Sequence, residues 1–130
     1  EVDADFVMPI LLDCVQGLRY LHGCEPPVIH GNLKSQNILV DAGFRAKLSD
    51  YASFQSAKLG AFISPFIMAP ELLNKQTMPN QATDTYAFGI LLCEVVSKQE
   101  PYEGESMEEV LDQVRDLFGA QDKRPNIPEG

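Results

Sequence analysis

An eight-residue stretch that begins at His30 concentrates side chains able to bind a proton, a phosphate or a cation. It reads His-Gly-Asn-Leu-Lys-Ser-Gln-Asn, and its functional groups are those of His30, Asn32, Lys34 and Asn37. Thirteen positions after Asn37 stands a carboxylate, Asp50. Taken alone, such a loop is equally well a structural turn held by side-chain hydrogen bonds, so the element that follows Asn37 decides what these groups can do.

Two short runs rich in β-branched and apolar residues, 38–40 and 44–48, lie between the amide and the carboxylate. The linking residues 41–43 end in glycine, which favours the tight turn of a β-hairpin. Because a hairpin returns the chain to its starting point, we expect Asn37 and Asp50 to meet at its base. Amide and carboxylate oxygens are ligands suited to Mg²⁺.

Helical periodicity predicts the elements around this hairpin. Apolar residues cover one face over 6–22 and nearly every side over 84–97, which indicates two buried helices. Asp3 or Asp5 can cap the start of the first helix, and Gly23 closes its end. The sequence Ser-Met-Glu-Glu at 106–109 is a capping box that opens another helix, expected to run through Leu117, and a short helix is predicted at 70–73. Residues 50–68 lack a period and are expected to form an irregular loop. The predicted fold is α+β, mainly helical with one small β-hairpin.

Composition excludes several classes of function. The chain has 130 residues, 45% of them hydrophobic, and 10 basic against 19 acidic residues give a net charge of -9. Such a charge repels nucleic acid and anionic membrane surfaces, and no apolar run approaches the length of a membrane span, so direct membrane insertion is not expected. Cys14, Cys24 and Cys93 are expected to be buried free thiols, which favours a cytoplasmic setting.

The order and spacing of these motifs resemble the protein kinase family, in which H-R-D-L-K-x-x-N precedes a hairpin ending in D-F-G and an A-P-E motif follows. The corresponding residues here are 30–37, then Asp-Tyr-Ala at 50–52 and Ala-Pro-Glu at 69–71, with Asp84 opening a buried helix. The resemblance implies that 1–130 is a partial kinase-like domain. It would run from the C-lobe helix before the catalytic loop to beyond the capping-box helix, without the N-lobe or the final helices.

The departures from the family pattern concern catalysis. Asn32 replaces the aspartate that accepts or aligns the substrate hydroxyl, and an amide is a very poor base. Gly31 replaces the arginine that pairs with a phosphate on the activation segment in many relatives. Ala52 replaces a glycine, so we expect φ > 0 to be disfavoured there and the hinge to be stiff. The resemblance therefore implies a catalytically impaired kinase homologue, a pseudokinase.

Residues that match the family on the nucleotide side are retained. By resemblance, Asn37 and Asp50 would each hold Mg²⁺, Lys34 would neutralise the terminal phosphate of ATP, and Leu39 would lie beneath the adenine. These groups could equally serve as a hydrogen-bonded lattice that ties the loop to the hairpin. The sequence leaves both interpretations open, so ATP and Mg²⁺ are expected cofactors only under the first.

Other matching residues would be structural. The resemblance implies that His30 and Tyr51 stack in an apolar column between the two lobes of a kinase. Asp84 would accept hydrogen bonds from backbone N–H groups of the catalytic loop. Glu71 would pair with an arginine that lies beyond this sequence.

Within the family, residues 34–41 and 68–71 look like the tyrosine-kinase-like group. The combination of 30–35 with 49–51 is similar to receptor guanylyl cyclase kinase homology domains. Plant receptor-like pseudokinases share the string at 30–35. The short activation segment is similar to that of integrin-linked kinase. These resemblances imply a regulatory or scaffolding module that binds a protein partner or an adjacent domain, in the cytoplasm or in the intracellular part of a membrane receptor. An active or weakly active protein kinase is the alternative, and the oligomeric state is not predicted.

Overall fold

The computed structural model describes residues 4–52, 64–73 and 77–115. The chain divides into two compact units, Glu1–Ala61 and Phe62–Gly130. The first unit contains a long helix and a two-stranded antiparallel sheet, and the second contains three α-helices among its described residues. This mostly helical arrangement with one small hairpin confirms the predicted α+β class.

Helix α1, Ala4–His22, extends the predicted helix by two residues at its start. Asp5 therefore lies inside the first turn, where its charge favours the helix dipole, and the expectation that it caps the helix is wrong. The alternative cap, Asp3, lies outside the described residues. Gly23 ends the helix as predicted, since its N–H donates to the carbonyl oxygen of Arg19 at 3.0 Å.

The predicted hairpin is present, with β1 at Ile38–Val40 and β2 at Ala46–Leu48. The pattern predicts β2 from Phe44, but Phe44 has φ 57° and belongs to the turn. The carboxylate of Asp41 accepts two backbone N–H hydrogen bonds within this turn, at 2.9 and 3.1 Å. Because of those bonds, the turn includes more residues than the run of β-forming residues predicts.

An ion pair fastens β2 to α1. Both carboxylate oxygens of Asp13 accept hydrogen bonds from the Arg45 guanidinium at 2.8 Å, and Asp13 also accepts from the backbone N–H of Ala46 at 2.9 Å. Close packing accompanies the ion pair, because a Cβ atom at Gly17 would lie 3.0 Å from the Leu48 side chain. Glycine at this position therefore lets the helix approach the strand that leads to Asp50.

The second unit begins, among its described residues, with a 3-10 turn at Pro65–Ile67, followed by α2 at Pro70–Leu73, as predicted for the latter. The remaining helices are α3, Gln81–Ser97, and α4, Met107–Arg115. The 3-10 turn falls in the segment expected to be irregular, of which residues 53–63 lie outside the described ranges. The core of this unit contains apolar and aromatic side chains: Phe66, Leu73, Tyr102, Val110 and Val114.

Helix α3 begins at Gln81, three residues before the predicted start at Asp84. The cause is a capping box that the apolar pattern does not register. The Asn80 side chain accepts hydrogen bonds from the N–H groups of Ala82 and Thr83 at 2.9 and 3.2 Å, and the Thr83 hydroxyl oxygen accepts one from the Asn80 N–H at 2.9 Å. The first turn of α3 is polar, so it carries no hydrophobic signal.

The predicted capping box of α4 is confirmed. The Ser106 N–H donates to Glu109 Oε2 at 2.8 Å, and the Glu109 N–H donates to the Ser106 hydroxyl at 3.3 Å. The first of these bonds lowers the pKa of the Glu109 carboxyl. The expected continuation of the helix past Arg115 lies outside the described residues.

The three cysteines are free thiols, as expected, but only Cys14 is buried. Cys24 is partly exposed because it lies in the turn after α1, where its thiol donates to the Tyr20 carbonyl oxygen at 3.4 Å. Cys93 is partly exposed, as are its neighbours in α3 at 92–95. None of the helices in the described ranges combines the length and the apolar character that a bilayer-spanning segment requires.

Candidate active site

The polar loop of the first unit is anchored by two enclosed side chains. His30 and Leu33 have no exposed surface, and His30 Nδ1 accepts a hydrogen bond from the Asn32 N–H at 3.2 Å. Between them, Gly31 has φ 73°, a conformation that a residue without Cβ adopts at no steric cost. The loop therefore holds the backbone of Asn32 in a fixed place beside the histidine.

Asn37 connects the end of this loop to its middle. Its side-chain Nδ2 donates to the Asn32 carbonyl oxygen at 2.8 Å, and its own N–H donates to the Lys34 carbonyl oxygen at 2.9 Å across a 3-10 turn at Ser35–Asn37. Asn37 is 7% exposed. Because Nδ2 is committed to Asn32, the side-chain oxygen of Asn37 is the atom left for a ligand.

Ser49 brings the two ends of the hairpin together. Its backbone N–H donates to the Asn37 carbonyl oxygen at 2.9 Å. Its hydroxyl oxygen lies 3.2 Å from that same carbonyl oxygen and 3.2 Å from Asp50 Oδ2. Ser49 was not among the predicted site residues, although a hydroxyl directly before a carboxylate at the end of a predicted strand is a signal visible in the sequence.

The backbone after the hairpin has an unusual conformation. Asp50 and Ala52 both have positive φ, 57° and 55°. The expectation that alanine would exclude positive φ at this position is wrong, because the Ala52 N–H donates to the His30 carbonyl oxygen at 2.9 Å and this bond holds the chain in place. A left-handed conformation costs an L-residue other than glycine roughly 1–2 kcal/mol.

The amide oxygen of Asn32 is a buried acceptor in this site. Oδ1 lies away from solvent and accepts no hydrogen bond within the part of the chain that the structure describes. An amide oxygen is a hydrogen-bond acceptor but a very poor base. Asn32, which was predicted to replace the catalytic base, therefore cannot take a proton from a hydroxyl at neutral pH.

The donors at the base of the hairpin fit a magnesium ion. The Asp50 carboxylate is exposed, and the Asn37 side-chain oxygen takes no part in the hydrogen bond that Nδ2 donates to Asn32. Both groups carry the hard oxygen ligands that Mg²⁺ prefers. No group of three or more His, Cys, Asp or Glu side chains in the described ranges forms a cage around a metal. A site of this kind suits an ion that keeps several ligands from water or phosphate.

The other predicted nucleotide contacts lie in the same unit. Lys34 is partly buried, in an extended conformation before the 3-10 turn, and Leu39 is 57% exposed on β1. Tyr51 is 53% exposed, while His30 is fully enclosed. The stacking of Tyr51 with His30 and the placement of Leu39 under an adenine stay predictions.

The two remaining candidates lie in the second unit. Asp84, in the first turn of α3, is 1% exposed. Glu71 is partly buried in α2. The contacts that the family resemblance implies for these carboxylates stay predictions.

The carboxylate of Asp13 fastens the hairpin to α1. Hydrogen bonds from the Arg45 side chain and then from the Ala46 N–H lower the pKa of Asp13 to about 2. The carboxylate is consequently charged throughout the physiological range, and it keeps β2 against α1. No local sequence pattern reveals this ion pair, because its two members are 32 positions apart and belong to different elements.

Comparison with known proteins extends over nearly the whole chain. The protein kinase domain family matches residues 2–129. Two similar proteins are the probable serine/threonine-protein kinases drkB and drkA of Dictyostelium discoideum. The kinase drkB is 35% identical over 108 residues, which cover 80% of this chain and 16% of drkB. The kinase drkA is 33% identical over 133 residues, which cover 99% of this chain and 20% of drkA.

A third relative is the serine/threonine-protein kinase CTR1 of Arabidopsis thaliana, 35% identical over 109 residues that cover 78% of this chain and 13% of CTR1. All three relatives are named as serine/threonine protein kinases. The chain spans a fifth or less of the length of each of these relatives.

Proposed function

The chain belongs to the protein kinase domain family, and from this premise we propose that it is a pseudokinase: a regulatory module that can hold Mg·ATP but transfers phosphate poorly. The observation that carries the proposal is the identity and setting of Asn32. Its amide stands where the family pattern has the aspartate base, and its oxygen is buried without a donor among the described residues.

The proposed binding of Mg·ATP depends on the residues at the base of the hairpin. Asn37 and Asp50 would hold Mg²⁺, which would neutralise charge on the nucleotide phosphates, and Lys34 would pair with the terminal phosphate. The proposal is supported by the hydrogen bonds through Ser49, which join the Asn37 backbone to the Asp50 carboxylate in the absence of any bound cation. Such prior arrangement lowers the conformational entropy lost on binding.

The catalytic half depends on the missing carboxylate. A positioned general base contributes about 10²–10⁴ in rate, and the Asn32 amide cannot supply it. Positioning and charge neutralisation provide most of the catalysis in phosphoryl transfer, so a small residual rate is consistent with the site. We therefore expect nucleotide binding with slow transfer.

We further propose membership of the tyrosine-kinase-like group, supported by the strings 34–41 and 68–71. In this proposal the module acts in the cytoplasm, on its own or within a receptor, and binds a protein partner or an adjacent domain. The net charge of -9 supports a protein partner over a nucleic acid.

Nucleotide binding is tested by thermal-shift titration of the full-length protein with Mg·ATP. At 100 times Kd, a ligand stabilises the folded state by about 2.7 kcal/mol, so the wild-type melting temperature should rise. Asp50→Asn should lose most of this rise. Asp41→Asn makes the same change of charge at the opposite end of the hairpin and should keep it. An equal rise in Asp50→Asn would contradict the assignment of Asp50 to the metal.

Phosphate transfer is tested with radiolabelled ATP and the purified protein, free of other kinases. We expect wild-type transfer near background, and an increase of about 10²–10⁴ in Asn32→Asp that the additional change Asp50→Ala abolishes. The names of the relatives favour a second candidate, an active serine/threonine protein kinase. A wild-type rate of about 1–100 s⁻¹, typical of kinases, would establish that candidate and overturn ours.

A further inference from the structure

We propose that Ser49 is a positioning residue whose hydroxyl sets the Asp50 carboxylate for a divalent cation. This inference rests on the proposed function, since it assigns a new residue to the metal side of that site. The carrying observation is the position of the Ser49 hydroxyl oxygen, 3.2 Å from Asp50 Oδ2 and 3.2 Å from the Asn37 carbonyl oxygen.

The hydroxyl has two acceptors but a single hydrogen, so it can make one full hydrogen bond at a time. The Asn37 carbonyl oxygen already accepts the Ser49 backbone N–H at 2.9 Å. A carboxylate is the stronger acceptor because it carries a negative charge. The hydroxyl therefore donates to Asp50 while the carboxylate holds no cation.

This bond orients a side chain that is otherwise unrestrained. Asp50 is exposed, and the Ser49 hydroxyl is the only hydrogen-bond partner of its carboxylate among residues 4–52, 64–73 and 77–115. The bond holds Oδ2 and leaves Oδ1 for a cation. A carboxylate that is already oriented loses less rotational freedom when it binds.

The same hydrogen bond can remain in place when Oδ1 binds a cation, because the bond uses only Oδ2. The hydroxyl then favours binding in two ways. It orients the carboxylate in the cation-free protein, and it keeps its hydrogen bond to that carboxylate in the cation-bound state.

Removal of the Ser49 hydroxyl should lower the affinity for the cation more than the affinity for the nucleotide. Residues that orient a metal ligand contribute about 10- to 100-fold to metal affinity, and partly exposed Ser49 should lie at the lower end, about tenfold. Metal-free ATP does not use the oriented carboxylate. Its affinity should not change.

The test measures Mn²⁺ binding to the full-length protein in the presence of ATP, from the loss of the electron paramagnetic resonance signal of free Mn²⁺. ATP binding in EDTA is measured in parallel by calorimetry. We expect Ser49→Ala to bind Mn²⁺ about tenfold more weakly, with unchanged metal-free ATP affinity, and Ser49→Thr, which keeps the hydroxyl, to lie within about twofold of wild type. Ser97→Ala, which removes a hydroxyl at the end of α3, is the matched control and should bind as wild type.

Wild-type Mn²⁺ affinity in Ser49→Ala would overturn the inference and leave the proposed function intact. An equal loss of Mn²⁺ and metal-free ATP affinity, or a Ser49→Thr variant as weak as Ser49→Ala, would also overturn it, because both results indicate general disruption of the loop. If wild type and Asp50→Asn alike show no ATP-dependent Mn²⁺ binding, the proposed function fails and the inference fails with it.

Discussion

The buried oxygen of Asn32 makes a strong prediction for Asn32→Asp. The substitution changes only the amide nitrogen to oxygen, so the backbone bonds of Asn32, from its N–H to His30 Nδ1 and from Asn37 Nδ2 to its carbonyl, can persist. The side-chain oxygen, however, has no donor among the described residues. A carboxylate there loses hydration that no hydrogen bond replaces.

The magnitude follows from the environment of the side chain. A buried acceptor without a partner costs about 1–3 kcal/mol, and a charged one costs more. Asn32 as a residue is only partly buried, so the second carboxylate oxygen reaches water and limits the cost. We expect Asn32→Asp to lower the free energy of unfolding at pH 7 by about 1–3 kcal/mol, even as it restores a base.

The assay is urea unfolding of wild type, Asn32→Asp and Asn32→Ala at pH 7 and pH 4. Desolvation raises the folded-state pKa of the introduced carboxyl above its unfolded value. The destabilisation is therefore fully present at pH values above the folded-state pKa and shrinks as the carboxyl is protonated at lower pH. Asn32→Ala removes the isolated acceptor without adding charge, so its difference from wild type should not change with pH.

Two results would refute this reasoning. Asn32→Asp could be as stable as wild type at pH 7, which would mean that a donor reaches Oδ1. Alternatively, its deficit could be equal at both pH values, which would mean that the loss has a steric origin rather than an electrostatic one.

Three further predictions concern the stability of the two units, each taken by itself. Ala52→Gly should raise the free energy of unfolding, measured in urea, by about 0.5–1 kcal/mol. Glycine relieves the strain of the positive φ at this position, and that gain exceeds the cost of the greater entropy of the unfolded chain. A loss of stability would contradict the positive φ. Asp13→Asn should unfold at lower urea than wild type at pH 6. The folded-state pKa of Asp13 is about 2, below its unfolded-state pKa of about 4, so the charged carboxylate stabilises the fold at pH values above about 4. The difference in stability between wild type and variant should therefore close as the pH falls from about 4 to about 2. A difference that does not change with pH would contradict the ion-pair explanation. Asn80→Ala should cost about 1 kcal/mol and speed amide hydrogen exchange in the first turn of α3, whereas unchanged exchange there would show that the cap is dispensable.

Element type was predictable from sequence, and element boundaries were less so. The apolar stripe of α1, the hairpin and the Ser106–Glu109 box are local patterns, and the structure has each of them. The start of α3 was missed because the cap at Asn80 is polar, and β2 was predicted too long because the turn retains Phe44 at positive φ. Both errors occur where side-chain hydrogen bonds to the backbone outweigh the hydrophobic pattern.

The sequence by itself determined the chemical inventory of the site: an amide at position 32, a lysine at 34, an amide at 37 and a carboxylate at 50, with a hairpin of suitable length between the last two. Residue types and short spacings suffice for this, because hairpin geometry is local. Only the tertiary structure decided how these groups are held. Ser49 shared between two acceptors, Asn32 Oδ1 enclosed without a donor, and Asp13 bound to a distant arginine all depend on atomic distances. Such distances are set when separate segments pack together, and sequence separation carries no record of them.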